Sequence, residues 1–241
     1  MSEVVATAAE GAHPAVPGAR VAHQFDDVEQ QRAADALGMW AFLATEILFF
    51  GALFTAYFSY RVTYSADFEA ASAQLNILIG AINTVVLLTS SLTMALGVFA
   101  AHTGRQRMLV WCLAGTALLG ALFMAFKVVE YYTDYKENLV PGLAFKEEEW
   151  TSLSPAVNPR HVQLFLMFYY ILTGLHALHL TVGIGILVVF IWLASQGRFG
   201  PAHYSPVEVA GLYWHFIDIV WIFLLPLLYL IGTHSVHDLH F

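Results

Sequence analysis

Charge is what this chain has least of. Only 12% of its 241 residues are Asp, Glu, Lys or Arg, about half of the roughly 25% found in soluble domains. Basic residues are scarcest: ten Lys and Arg stand against eighteen Asp and Glu, a net charge of -8. No basic stripe is present to neutralise phosphates, which argues against nucleic acid as a partner. Cysteine occurs once, as Cys112 inside an apolar run, so no intrachain disulfide can form and the residue reads as a small packing group. The motifs HExxH, GxSxG, Walker A, CxxC and CxxCH are all missing, and with them any complete hydrolytic or redox centre. No catalytic residue and no metal ligand is therefore assigned. No fixed-period repeat occurs, nor the paired, broken hydrophobic segments of many secondary transporters.

What is present is apolar sequence in long runs. Hydrophobic residues make up 59% of the chain and the mean hydropathy is +0.65. A helical span needs about 20 apolar residues, and five runs qualify: 37–60, 75–101, 108–131, 162–193 and 209–232. None alternates apolar and polar residues as a membrane β-barrel strand does. The fold class is all-α, a polytopic membrane bundle of five transmembrane helices. The fourth run would be on the order of 45 Å long at 1.5 Å per residue, so it should tilt or protrude. Residues 1–36, Ala-rich and polar with Pro14 and Pro17 but no apolar core, read as a flexible arm rather than a signal peptide. Residues 37–233 form the membrane domain, and 234–241 a tail with His234, His237 and His240. The connectors are short except for the stretch 133–161, with its acidic run Glu147, Glu148, Glu149 and three prolines. Arg20, Arg32, Arg105, Arg107 and Arg198 fall on the N-terminal side, against Arg61, Lys136, Lys146 and Arg160 opposite, which places the N-terminus inside.

Ionisable groups inside spans cost roughly 2.5–3.5 kcal/mol on insertion scales, so each one is a candidate site. Glu46, in ATEILFFG, must be neutral or paired: it is either a hydrogen-bonded structural carboxyl or a group that handles protons or lipid. His176 and His179, in TGLHALHL, share one face of the fourth span. They could begin a haem or metal site with His215 or Glu46, or hydrogen-bond to neighbouring helices. His215 and Asp218, in YWHFID, are also three apart and could form an ion pair or a structural pair. Lys127 and Glu130 near the end of the third span read as an interfacial pair, with Lys127 snorkelling and Tyr131 and Tyr132 at headgroup level. The small residues Gly174, Ala177, Gly183 and Gly185 are expected to pack inside the bundle. Part of the aromatic run Phe49, Phe50, Phe54, Tyr57 and Phe58 is expected to face a partner.

Taken together and in order, LGMWAFLATEILFFGALFTAYFSYR, VVEYYTDY, TGLHALHLTVGIGIL and AGLYWHFIDIVWIFLLPLLYLIG resemble subunit III of haem-copper terminal oxidases, in its five-span bacterial form. The resemblance covers residues 37–233. It implies a non-redox chain docked against the catalytic subunit I, in a complex that also holds subunit II, with haem and copper in those partners and none here. It implies a bacterial inner-membrane location, phospholipid bound between helices, and support for proton uptake, complex stability and sustained turnover. By the same resemblance, Glu46 is buried in the bundle with His179 as its hydrogen-bond partner. The whole complex would move electrons from cytochrome c or a quinol to oxygen and pump protons. Similar subunits serve quinol oxidases and nitric oxide reductase relatives, which leaves the donor open. The residues themselves leave two readings of other classes, a small haem b cytochrome and a proton-linked transporter using Glu46.

Overall fold

The computed structural model describes residues 23–142, 145, 150 and 157–234. Most of the expected N-terminal arm, the acidic run Glu147 to Glu149, and His237 and His240 lie outside them. Among the described residues the chain is helical: α1 (Val28–Thr63), α2 (Ser65–Ser72), α3 (Ile77–His102), α4 (Gln106–Lys136), α5 (Pro159–Ser195), α6 (Ser205–Leu228) and a 3₁₀ turn (Ile231–His234). All but α2 and the 3₁₀ turn are long and apolar enough to cross a membrane, five helices in all.

The helix ends follow local chemistry. α1 begins at Val28, not at the expected boundary near residue 37, because Asp27 accepts the Gln30 backbone N–H at 2.6 Å and Gln30 Oε1 accepts the Asp26 N–H at 2.8 Å. That reciprocal arrangement satisfies two otherwise orphaned donors. Asn76 caps α3 by accepting from Leu78 and Ile79, and Asn158 caps α5 ahead of Pro159 at its first position. α3 and α4 are joined by a minimal turn through Gly104, whose φ of +70° favours glycine. The 37-residue α5 extends to about 55 Å at 1.5 Å per residue, beyond what a 30 Å hydrocarbon core requires.

α6 is the central helix, packed against α1, α3 and α5. Its Trp214 and Trp221 are fully buried. The Trp214 ring edge is received by two glycines: a Cβ on Gly120 of α4 would lie 2.8 Å from its Cη2, and one on Gly183 of α5 3.1 Å from its Cζ3. The indole N–H donates to Ser90 Oγ on α3 at 3.1 Å. Of the small residues expected inside, Gly183 is so packed, whereas Gly174 and Gly185 face open space. They lie on other sides of the helix from Gly183.

α1 is sewn to α6 at both ends. At one end Arg32 donates to Ala202 O at 3.2 Å and Ser205 Oγ donates to Asp35 at 2.7 Å. At the other, Tyr57 donates to Leu227 O at 2.6 Å, while Ser72 of α2 donates to Leu228 O at 2.6 Å. These last two bonds satisfy carbonyls that the end of a helix leaves without intrahelical donors. The α1 aromatic run divides accordingly: Phe50 and Tyr57 are buried, and Phe49 and Phe58 are exposed on the outer surface.

Candidate functional site

The intramembrane polar residues form three separate groups. The first bridges α1, α5 and α6. Glu46 Oε2 lies 3.1 Å from His179 Nε2, and His179 Nδ1 lies 2.8 Å from Leu175 O. Both side chains retain 17% exposure, so the pair sits at the rim of the bundle rather than its axis. Each also lies close to the midpoint of its own helix. The proton count here is constrained. A carbonyl can only accept, so Nδ1 must carry a hydrogen, and the Nε2 to carboxylate contact then holds one further proton. That proton lies between the carboxyl and the imidazole, bonded to one and donated to the other. Tyr213 of α6 fixes the local backbone by donating to His179 O at 2.9 Å, and Phe50 packs on the His179 ring at 5.5 Å. Below Tyr213 a cleft of about 540 Å³ opens between α1, α5 and α6, walled by Met39, Phe42, Val182 and Phe190, with Asp35 at its end.

The second group lies around α6. His176 is buried against Phe123 and Trp221, with Nε2 3.2 Å from Ile217 O and Nδ1 without a partner among the described residues. His215 turns away from both other histidines, and its Nδ1 lies 2.7 Å from Ser91 Oγ on α3. Asp218 is buried, with the same Ser91 hydroxyl as its hydrogen-bonding neighbour. The pairing considered between His215 and Asp218 is therefore not formed: their spacing shares a face, but Ser91 reaches the imidazole first. His176, His179 and His215 take three different partners, and no group of three or more His, Cys, Asp or Glu that could hold a metal occurs among the described residues.

The third group corrects the reading of Lys127 and Glu130 as an interfacial anchor. Both are almost fully buried. They continue the inward stripe of α4 that runs through Leu113, Thr116, Gly120 and Phe123, and the helix continues nine residues past Lys127 to Lys136, so snorkelling is not available to it. Lys127 Nζ lies 3.0 Å from Glu130 Oε2 and 2.7 Å from the Tyr229 hydroxyl, with the Trp221 and Tyr169 rings at 5.0 and 5.2 Å. The Tyr169 hydroxyl reaches Glu130 Oε1 at 2.9 Å and Asp134 Oδ2 at 3.3 Å. Asp134, Tyr169 and Tyr229 were not singled out from the sequence, although Glu130 and Asp134 stand four apart in EYYTD, a spacing that puts both carboxylates on one face. A further pair not singled out, Asp67 and His161 at 2.6 Å, ties α2 to the start of α5.

Comparison with known proteins bears on the same spans. A family model for cytochrome c oxidase subunit III matches residues 25–136 and 161–233, which take in all five long helices apart from the first two residues of α5. This chain belongs to that family. It is 33% identical over 199 residues to a cytochrome c oxidase subunit 3 of Synechocystis sp., covering 80% of this chain and 74% of the relative. It is 32% identical over 218 residues to a probable cytochrome c oxidase subunit 3 of Nocardia farcinica, covering 89% and 96%. A probable quinol oxidase subunit 3 of Staphylococcus haemolyticus is 28% identical over 199 residues, covering 81% and 88%. The chain is thus a membrane-spanning subunit of a multi-subunit haem-copper oxidase, and the Glu46–His179 pair, the Lys127 cluster and the α3–α6 polar groups all fall inside the subunit III match.

Proposed function

We propose that this chain is the non-redox accessory subunit of a proton-pumping respiratory oxidase that reduces oxygen to water. In this reading it docks against the catalytic subunit I beside subunit II, in the bacterial inner membrane with its N-terminus inside, and haem and copper reside in the partners. The observation that carries the reading is the one-proton pair Glu46–His179, held at mid-helix in a chain whose five spans match subunit III. Such a pair can hand on its shared proton and then take up another without a redox centre, which suits a role in supporting proton uptake by a neighbouring subunit. The apolar cleft beneath Tyr213 supports lipid binding: its walls suit an acyl chain, and Asp35 lies at the end where a headgroup would sit, with Arg32 about one helical turn earlier on α1.

Relatives named as cytochrome c oxidase subunits favour cytochrome c as the donor of the complex. The quinol oxidase relative marks quinol as the other donor, and oxidation assays with each donor on the purified complex separate them. The reading is tested by deleting this chain and purifying the remaining complex. Haem absorbance should be unchanged and initial oxygen consumption retained, but activity should decay during turnover. Loss of a haem band with the other subunits shown to be present would overturn it.

A further inference from the structure

Most buried polar side chains of the bundle are satisfied from within it. Ser72, Ser90, Thr116 and Thr173 each donate to a backbone carbonyl, and tyrosines tie Lys127, Glu130 and Asp134 together. Asn83 and His176 are different. Both are fully buried, yet Asn83 Nδ2 and Oδ1 and His176 Nδ1 have no hydrogen-bond partner among the described residues.

The two belong to one layer, gathered around Trp221 and Lys127. Thr84, next to Asn83, accepts the Trp221 indole N–H at 3.1 Å. The His176 ring lies 5.1 Å from the Trp221 ring, and Lys127 Nζ lies 5.0 Å from it. Thr93 of α3 meets Thr116 of α4 at 2.8 Å. Carrying that antiparallel register about three turns further sets Asn83 level with Phe126 and Lys127. One turn before Asn83, a Cβ on Gly80 would lie 3.3 Å from the ring of Tyr229, whose hydroxyl takes a hydrogen from Lys127 at 2.7 Å.

Counting donors and acceptors shows what this layer needs. Ile217 O can only accept, so His176 Nε2, 3.2 Å away, carries a hydrogen. A second cation in the layer of Lys127 would be costly, which leaves His176 neutral and Nδ1 an acceptor without a donor. Asn83 brings one acceptor and two hydrogens. Lys127 gives two of its three hydrogens to Tyr229 at 2.7 Å and Glu130 at 3.0 Å, and its third has only the Tyr169 hydroxyl at 3.5 Å, beyond the usual N–H···O range. The layer therefore calls for a group that both donates and accepts. An acyl chain does neither, and a metal cation cannot meet the amide hydrogens. Water does both, and buried waters typically make about three bonds to polar groups that are otherwise unmet.

We propose that this layer is an internal hydration site, with ordered water bound at the Asn83 amide and at His176 Nδ1. Water there leaves part of a hydration shell around Lys127, which lowers the cost of holding an ammonium inside the membrane.

The test is an experimental density map of the whole oxidase at a resolution that shows ordered water. Non-protein density is expected within about 3.2 Å of the Asn83 amide and of His176 Nδ1. Its absence at either residue, or a direct bond from either group to protein, would overturn the site there. Asn83→Leu gives a second reading. At a hydrated site the change strands the water, and the thermal unfolding midpoint should fall by about 2–4 °C, the scale of one hydrogen bond. At a dry site it would relieve unmet polar atoms, so a raised midpoint would overturn the proposal. Should the variant fail to assemble, the map of the unaltered complex decides alone.

Discussion

Replacing Glu46 separates the two things its carboxyl does. Glu46→Leu removes the partner of His179 Nε2, which lies 3.1 Å away, while Nδ1 remains committed to Leu175 O. Nε2 is then an acceptor with no donor, a loss of about 1–3 kcal/mol by the usual cost of an unmet polar group. Cycles across membrane helices give smaller couplings, about 0.6 kcal/mol on average and about 1.7 at most. The rim position, with 17% exposure of each side chain, places this pair between those limits, at about 1 kcal/mol. Glu46→Gln keeps an N–H that can donate to Nε2, so its stability cost should stay below about 0.5 kcal/mol, yet it cannot store a proton. Thermal or detergent-induced loss of the subunit from the purified oxidase measures the first effect, and proton uptake during turnover measures the second. The expected pattern is Glu46→Leu impaired in both and Glu46→Gln impaired in uptake alone. Combining Glu46→Leu with His179→Leu should cost less than the sum of the two changes. Additive losses, or a Gln variant as unstable as the Leu variant, would refute the proton count argued for the pair.

Lys127→Met should be among the most damaging single changes, about 3–5 kcal/mol, because it leaves Glu130 buried without its cation. Adding Glu130→Gln should recover part of that loss in thermal unfolding. Gly120→Ala should destabilise by about 1–3 kcal/mol through overpacking against Trp214, whose ring atom stands 2.8 Å from the added carbon. Gly174→Ala and Gly185→Ala, where nothing lies within 4 Å, should instead be neutral or gain a fraction of the roughly 1 kcal/mol helix preference for Ala.

The number of spans, their approximate limits and the family were legible because each rests on length and apolar content, which a membrane demands of every crossing helix. The inward faces were less so. In a water-soluble bundle the buried stripe announces itself by contrast with a polar face, but a helix surrounded by lipid is apolar on all sides and gives no such contrast. Lys127 was therefore placed by its nearness to the end of an apolar run, when its place on the stripe of Gly120 and Phe123 decides its burial. His215 and Asp218 were read as a pair from their spacing, and nothing in α6 discloses Ser91, which comes from a helix more than a hundred residues earlier. The early start of α1 is different, since Asp27 and Gln30 carry a visible capping pattern that the search for apolar runs passes over.

The seam between α1 and α6 bears on how the chain is made. Tyr57 and Leu227, like Asp35 and Ser205, are separated by 170 residues, so α1 enters the membrane well before its main partner α6 arrives. At roughly 5–20 residues per second of synthesis the interval is on the order of ten to thirty seconds. Throughout it, Met39, Leu43, Phe50 and Tyr57, which end up buried, face lipid or the insertion machinery. Bilayer residence at this stage depends on the apolar content of α1 by itself, which relieves the other helices of any need to hold it. A chain halted before α6 would leave α1 correctly inserted but unmoored, an intermediate that membrane quality control could distinguish from the finished subunit by that open face.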